Sequence, residues 1–207
     1  MENTQCSTFN LITQVFIAIG TVAIAILAIW GEKIRNWIAA PRLELKLHNA
    51  RGDLTTRQDG SRTIYYHIRI ENKRQWRPAK RVRIVCNAIA KKRADGSFKP
   101  ESLIVPVQLT WAFPTFHELL PNIVRDDICD LGFVDENTGE FKLSLYIYPS
   151  NFRGSISANQ TIRISLIASA DNFVSKSPYV LEIFWDGNWS SDLEEMQNHI
   201  VIKEVVK

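Results

Sequence analysis

The sequence has no charged side chain between Asn3 and Gly31. Within this stretch, residues 11–30 include eleven residues of the Leu, Ile, Val and Phe class and four alanines. A helix of about twenty residues is about 30 Å long, which matches the hydrocarbon thickness of a bilayer. We therefore predict a transmembrane helix over residues 11–30, preceded by a short tail over residues 1–10.

Basic residues are also missing from the first ten positions, which contain Glu2 but no lysine or arginine. A cleaved signal peptide has a basic amino-terminal region and a shorter apolar core, so these features favour an uncleaved anchor. Positive charge follows the helix instead, at Lys33, Arg35, Arg42 and Lys46. By the positive-inside rule, we expect a single-pass protein of the bacterial inner membrane with its carboxyl-terminal domain in the cytoplasm.

Residues 31–41 read as a juxtamembrane amphipathic segment. Ile34, Trp37 and Ile38 share one face of a continued helix, and Pro41 ends it. We expect the lipid bilayer to be a partner of the chain, and its surface to be contacted by Lys33, Arg35, Trp37 and Arg42.

Cysteine and histidine are scarce. The three cysteines include no Cys-x-x-Cys pair, and the four histidines accompany no recognisable nucleophile motif. Asp126, Asp127 and Asp130 do not have the spacing of a calcium loop. We therefore predict no catalytic residue, no metal and no cofactor, and the net charge of +3 argues against a nucleic-acid partner.

Beyond residue 42 the apolar residues recur with a period of two, as in Leu43, Leu45 and Leu47. This period is typical of half-buried strands. It predicts strands over residues 43–47, 64–71, 81–86, 103–111, 127–134, 141–148, 162–168, 179–185 and 200–205. Residues 192–198 lack this alternation, and we predict a short helix there. Asp-Gly and Asn-Thr-Gly turns separate several of the strands. We expect residues 42–207 to form a mainly β domain, an immunoglobulin-like antiparallel β-sandwich that follows the transmembrane helix.

Two longer connections interrupt the strands, over residues 73–78 and 112–125. Loops carry binding residues more often than strands do, so we expect partner contacts at Arg74, Trp76, Phe113 and Phe116. The first connection lies in a cluster of lysines and arginines over residues 69–83. Solvated strand faces, anionic lipid headgroups and nucleic acid are three interpretations of that cluster, and the small net charge disfavours the last.

Residues 68–72 read Ile-Arg-Ile-Glu-Asn, and residues 78–84 read Pro-Ala-Lys-Arg-Val-Arg-Ile. A strand that ends in Asn, a turn, and an Ala that opens the next strand resemble bacterial immunoglobulin-like modules of the adhesion-related and carbohydrate-associated type. Those modules usually have Gly after the Asn, where this chain has Lys73. The whole layout resembles uncharacterised bacterial single-pass membrane proteins with a β domain. The residues that carry this resemblance are Trp30, Gly31, Lys33, Arg35, Pro41, Arg42 and Leu43. That resemblance implies membrane attachment and no activity.

These features together predict a non-enzymatic, membrane-anchored module for binding or scaffolding, with a protein partner or a second copy of the chain. One alternative is a membrane-tethered enzyme with an unrecognised site. Another is a sensor subunit whose anchor pairs with a second helix through the small residues Ala18, Thr21, Ala25 and Ala28. The same stripe is also compatible with a helix face that contacts lipid.

Overall fold

The computed structural model describes residues 2–101, 106–112, 120–149 and 152–205, and the side chains of all these except residues 2–10 and 34–39. The chain divides into two compact units, Met1–Ala40 and Pro41–Lys207. Each unit is considered by itself below.

The first unit is one continuous helix, α1 (Glu2–Ala39). Its segment Leu11–Lys33 has a mean hydropathy of 2.4 and is long and apolar enough to cross a membrane. The apolar side chains of residues 11–30 are exposed around the whole circumference of the helix. The helix also includes residues 2–10, which we predicted as a separate tail. It ends just before Pro41, because proline disfavours helical geometry in the residue that precedes it.

The second unit is mainly β. Its strands are β1 (Leu43–Leu47), β2 (Asp53–Thr56), β3 (Arg62–Asn72), β4 (Arg83–Lys92), β5 (Phe98–Glu101), β6 (Val107–Gln108), β7 (Asp126–Asp135), β8 (Phe141–Leu143), β9 (Ser155–Ile156), β10 (Gln160–Ala170), β11 (Phe173–Val174), β12 (Tyr179–Trp185) and β13 (Ile200–Glu204). A short helix, α2 (Leu193–His199), precedes β13. Its amino terminus is capped by Asp192, whose side chain accepts from the amides of Glu194 and Glu195.

The strands form two antiparallel sheets. The first has the order β1-β3-β7-β8-β9, with β2 also beside β3. The second has the order β13-β12-β10-β4-β5, with β11 also beside β10 and β6 beside β4. Both sheets contribute apolar side chains to one buried core, which includes Tyr66, Ile68 and Leu143 from the first sheet and Ile164 and Trp185 from the second. Each sheet therefore buries one face, as the period of two predicts.

Most of the predicted strands are confirmed. Of the strand predicted over residues 103–111, residues 103–105 lie outside the described residues, and the rest contains only β6. One prediction was wrong. We predicted a strand over residues 141–148, with Ile147 among its inward-facing residues. The strand ends at Leu143, and Ile147 is 66% exposed. The chain bends at Tyr146 and Ile147, so the alternation of the sequence continues where the extended backbone does not. The short strands β2, β5, β9 and β11 were not predicted, since four residues or fewer carry too little periodicity.

A β-bulge changes the register between β3 and β7. Tyr66 lies opposite Gly132, whereas His67 lies opposite Asp130, so Leu131 is an extra residue on β7. The bulge places the carboxylate of Asp130 beside the imidazole of His67 on the outer face of the sheet.

Candidate functional site

A groove runs along β1, the edge strand of the first sheet. Its volume is about 490 Å³. One side is formed by residues 43–47 and the other by Ala168, Ser175, Ser177, Pro178, Tyr179 and Glu204. We refer to it as the β1 groove. The side chains of Leu43 and Leu45 are buried in the core, so these two residues line the groove with their backbone atoms.

The hydrogen-bond pattern shows which backbone groups of β1 face this groove. The amide of His48 donates to the carbonyl of His67 at 2.9 Å, and the amide of Lys73 donates to the carbonyl of Arg42 at 2.8 Å. In an antiparallel pair, residues alternate between bonding to the neighbouring strand and pointing away from it. The amides and carbonyls of Leu43 and Leu45 therefore point away from β3, into the groove.

Only one end of this edge is covered. The amide of Leu47 donates to Glu204 Oε1 at 3.3 Å. The same carboxylate oxygen accepts a hydrogen bond from the hydroxyl of Tyr179. Burial, reinforced by the Glu204 carboxylate, raises the pKa of Tyr179, so its hydroxyl stays protonated and remains a donor. No residue in the described part of the chain forms a hydrogen bond with the groove-facing backbone of Leu43 or Leu45.

The basic loop, residues 73–78, is held in place by a buried amide. Asn72 is 2% exposed. Its Oδ1 accepts from the amides of Arg42 at 3.3 Å and Arg74 at 3.1 Å. Its Nδ2 donates to the carbonyls of Arg77 at 2.7 Å and Ile123 at 3.4 Å. The loop therefore lies next to Arg42, the second residue of the β domain.

Carboxylates neutralise part of the basic cluster. Lys73 pairs with Glu71 and, at 3.2 Å, with Glu44, and Lys46 pairs with Glu71 at 3.1 Å. Hydrogen bonds from Lys73 and then Lys46 lower the pKa of Glu71 to about 2. Arg69 pairs with Asp126 in the same manner.

The rest of the cluster is open to solvent. Trp76 is 72% exposed. Arg77, Lys80, Arg81 and Arg83 are exposed as well, and none of the carboxylates that the structure describes forms an ion pair with them. The unpaired positive charge of this region is thus concentrated beside an exposed indole ring.

A histidine between two carboxylates is the arrangement that comes nearest to a catalytic site. His67 Nδ1 lies 2.8 Å from Asp130 Oδ1, and Nε2 lies 3.3 Å from Asp53 Oδ2. The imidazole is stacked on Tyr65, with 6.3 Å between the ring centroids. Both ring nitrogens face carboxylates, and within the described ranges no hydroxyl or thiol is hydrogen-bonded to either one. The imidazole thus lies between two carboxylates, and a nucleophile beside it is missing among the described residues.

The cysteines of the β domain do not supply a nucleophile either. Cys86 and Cys129 are free and buried. Burial raises the pKa of the Cys86 thiol to about 12 and that of Cys129 well above its usual value. No group of three or more potential metal ligands occurs among the residues that the structure describes.

The residues predicted as contacts divide into those that can be placed and those that cannot. Lys33 is exposed on α1, the backbone amides of Arg42 and Arg74 both donate to Asn72, and Trp76 is exposed in the basic loop. The side chains of Arg35 and Trp37, and the whole of Phe113 and Phe116, lie outside the described residues.

Sequence reasoning missed the β1 groove altogether. The alternation of β1 predicts a strand but not that the strand lies at a sheet edge. Tyr179 and Glu204 reach the groove from distant parts of the chain. Asn72 was noticed only as the end of a strand, and its part in holding the basic loop was missed as well.

No protein-family model, curated protein or solved structure matches this chain. The candidate function therefore rests on two surfaces of the β domain, the β1 groove and the basic loop.

Proposed function

We propose that this chain is a membrane-anchored binding module that holds an extended segment of a partner polypeptide against the open edge of β1. The observation that carries the proposal is the unpaired, groove-facing backbone of Leu43 and Leu45. In this proposal α1 spans the membrane and keeps the β domain on the cytoplasmic side. The lysines and arginines that follow the apolar segment support that orientation.

Edge strands expose a row of backbone donors and acceptors, and many proteins protect them with charges, bulges or covering loops. Here Glu204 protects only the amide of Leu47. The groove beside Leu43 and Leu45 has room for an added strand, whose main chain would extend the first sheet. Recognition by strand addition obtains affinity from main-chain hydrogen bonds and specificity from alternate side chains.

The walls of the groove define the chemistry of the segment it would hold. Side chains that point inward would contact Ala168 and Tyr179, so they should be apolar. Side chains that point outward would lie beside Glu44 and Lys46, which are exposed on the sheet surface. A base next to Glu44 and an acid next to Lys46 would be favourable, since opposite charges on neighbouring strands stabilise a pair.

The sequence of β1 itself meets these requirements. When a second copy of residues 42–48 pairs antiparallel about Leu45, Glu44 lies opposite Lys46 of the added strand, and leucines fill the inward positions. A synthetic peptide with this sequence is therefore a suitable probe. In this register its residues 43, 45 and 47 would bond to β1 of the protein, and its residues 44 and 46 would not.

The test uses the full chain in lipid nanodiscs and measures amide hydrogen exchange by NMR. We expect the peptide to slow exchange at Leu43 and Leu45, while Glu44 and Lys46, which already bond to β3, remain protected throughout. Methylating the peptide nitrogens at positions 43 and 45 should abolish the effect, and methylating those at 44 and 46 should preserve it. Equal behaviour of the two methylated peptides, or unchanged exchange at Leu45, would contradict the proposal.

We also propose that the β domain is a sandwich related to immunoglobulin domains. The order β5-β4-β10-β12 in the second sheet corresponds to the C′-C-F-G order of those domains. The first sheet differs. In immunoglobulin domains strand E, which follows strand D in the chain, lies next to strand B. Here β7 and β8 stand in place of D and E, and β3 in place of B, but the earlier strand, β7, is the one next to β3. The relationship is therefore one of architecture with a rearranged first sheet.

A further inference from the structure

The basic loop lies where the chain enters the β domain. The amide of Lys73 donates to the carbonyl of Arg42 at 2.8 Å, and the amide of Arg42 donates to Asn72 Oδ1 at 3.3 Å. In the chain, α1 ends at Ala39, three residues before Arg42. If α1 crosses a membrane, this end of the domain is the one that the anchor keeps near the bilayer surface.

A second segment extends the same surface. Ala79 and Ile123 exchange two backbone hydrogen bonds, each of 2.9 Å. These bonds hold residues 121–125 beside the chain that follows the basic loop. The amide of Asn72 also donates to the carbonyl of Arg125, so Val124 and Arg125, whose side chains are exposed, belong to a segment bonded to both ends of the loop.

We propose that this region, the junction surface, binds anionic phospholipid headgroups of the membrane in which α1 is anchored. It consists of Trp76, Arg77, Lys80, Arg81, Val124 and Arg125. The inference rests on α1 being a membrane anchor and is independent of the β1 groove.

The charges and aromatic group of the junction surface fit a membrane interface. Each lysine or arginine near an anionic leaflet adds to the attraction between the protein and the membrane surface. Tryptophan is enriched at the boundary between headgroups and hydrocarbon, because its ring is amphipathic. Trp76 is 72% exposed and Val124 49% exposed, so each presents apolar surface to its surroundings.

The whole-chain composition favours lipid over nucleic acid as the binding partner. The net charge of the chain is only +3, so these cations are a local concentration and not part of a generally basic protein. Single-stranded nucleic acid is usually held by several stacking rings. Among the residues of the junction surface, Trp76 is the only aromatic one.

The experiment compares the full chain in nanodiscs of phosphatidylcholine alone and in nanodiscs that also contain phosphatidylserine. Acyl-chain brominated lipids quench nearby tryptophans, and subtracting the signal of Trp76→Phe isolates the contribution of Trp76. We expect this contribution to be at least about twofold larger with phosphatidylserine and to fall at high salt, since salt screens surface charge.

Charge reversal provides the matched comparison. Arg77→Glu, Lys80→Glu and Arg81→Glu together should reduce Trp76 quenching to its value in phosphatidylcholine. Lys92→Glu, Arg93→Glu and Lys99→Glu reverse three exposed cations elsewhere on the domain and should leave it unchanged. If circular dichroism shows that the first variant is unfolded, Arg77→Gln with Lys80→Gln replaces it, with about a third of the effect expected from its smaller change in charge.

Three results would overturn the proposal. They are equal Trp76 quenching in the two kinds of nanodisc, equal loss in the two triple variants, and a Trp76 signal that responds to a single-stranded oligonucleotide but not to phosphatidylserine.

Discussion

Tyr66 places a hydroxyl in the core where no described residue bonds to it. The side chain is fully buried and packs on Phe141, with 6.0 Å between ring centroids. Burial raises the pKa of the hydroxyl, which stays neutral. A buried donor without a partner costs free energy that its removal recovers. We expect Tyr66→Phe to raise the free energy of unfolding by about 1 kcal/mol, as measured by urea denaturation.

Tyr179→Phe is the comparison for this prediction. That substitution removes a hydroxyl that donates to Glu204, so it should lower the free energy of unfolding. A loss of similar size in both variants would show that the Tyr66 hydroxyl has a partner after all.

The side chain of Asn72 forms hydrogen bonds with four backbone groups, so its removal should lower the stability of the β domain. Asn72→Ala leaves the amides of Arg42 and Arg74 and the carbonyls of Arg77 and Ile123 without their partner. Unsatisfied buried polar groups cost about 1–3 kcal/mol each, and some of these would find water. We expect the free energy of unfolding to fall by about 3 kcal/mol. Asn198→Ala, at an exposed position of α2, should change it by less than about 0.5 kcal/mol.

The low pKa of Glu71 links stability to pH. Its carboxyl has a pKa of about 2 in the folded chain and a reference value of 4.5. A lowered pKa means that the unfolded chain binds the proton more tightly, so the folded chain loses stability as pH falls. The loss should occur between pH 4.5 and about 2. In Glu71→Gln this part of the pH dependence should disappear from thermal melts, whereas an unchanged profile would mean that Lys46 and Lys73 do not hold the charge.

At the scale of elements, β1 provides the sharpest prediction, because its charges are self-complementary. If two copies of the chain associate through β1, Glu44 of one copy meets Lys46 of the other. Glu44→Lys would then place like charges opposite each other and weaken association. Adding Lys46→Glu reverses both signs and should restore it.

Sedimentation of the full chain in detergent measures this association. Since both residues also pair with Glu71 or Lys73 inside the domain, thermal melts of each variant are needed as a control. Weakening by Glu44→Lys without rescue by the double substitution would argue against a β1–β1 pair.

At the scale of the whole molecule, the orientation in the membrane is directly testable. The domain cysteines Cys86 and Cys129 are buried, so they are unsuitable for labelling from outside. Lys99→Cys, in a chain with Cys6 replaced, supplies an exposed thiol. A membrane-impermeant thiol reagent should label it in lysed cells and not in intact cells. Labelling in intact cells would place the β domain outside the cytoplasm.

Much of the fold followed from local patterns. The apolar helix, most of the long strands, the short helix α2 and the Asp-Gly turns each depend on a few neighbouring residues. In the turns over residues 57–61 and 93–97, for example, glycines 60 and 96 have φ values of +84° and +83°, which favour glycine. The strand over 141–148 was mispredicted because exposure of Ile147 depends on where the chain bends, and alternation does not report that.

The candidate sites were less predictable, because they join residues that are far apart in sequence. The β1 groove combines Leu45 with Tyr179 and Glu204. The His67 arrangement requires a bulge on β7. The open edge of β1 is a property of the strand order.

The sequence by itself determined that the chain has a helix apolar enough for a bilayer and a β domain with alternating strands, since hydropathy and periodicity are local properties. Only the tertiary structure decided which charges are free. Lys46, Arg69 and Lys73 are paired with carboxylates, whereas Arg77, Lys80 and Arg81 remain open beside Trp76. Pairing between strands sets these contacts, and strand pairing follows from the burial of the whole core.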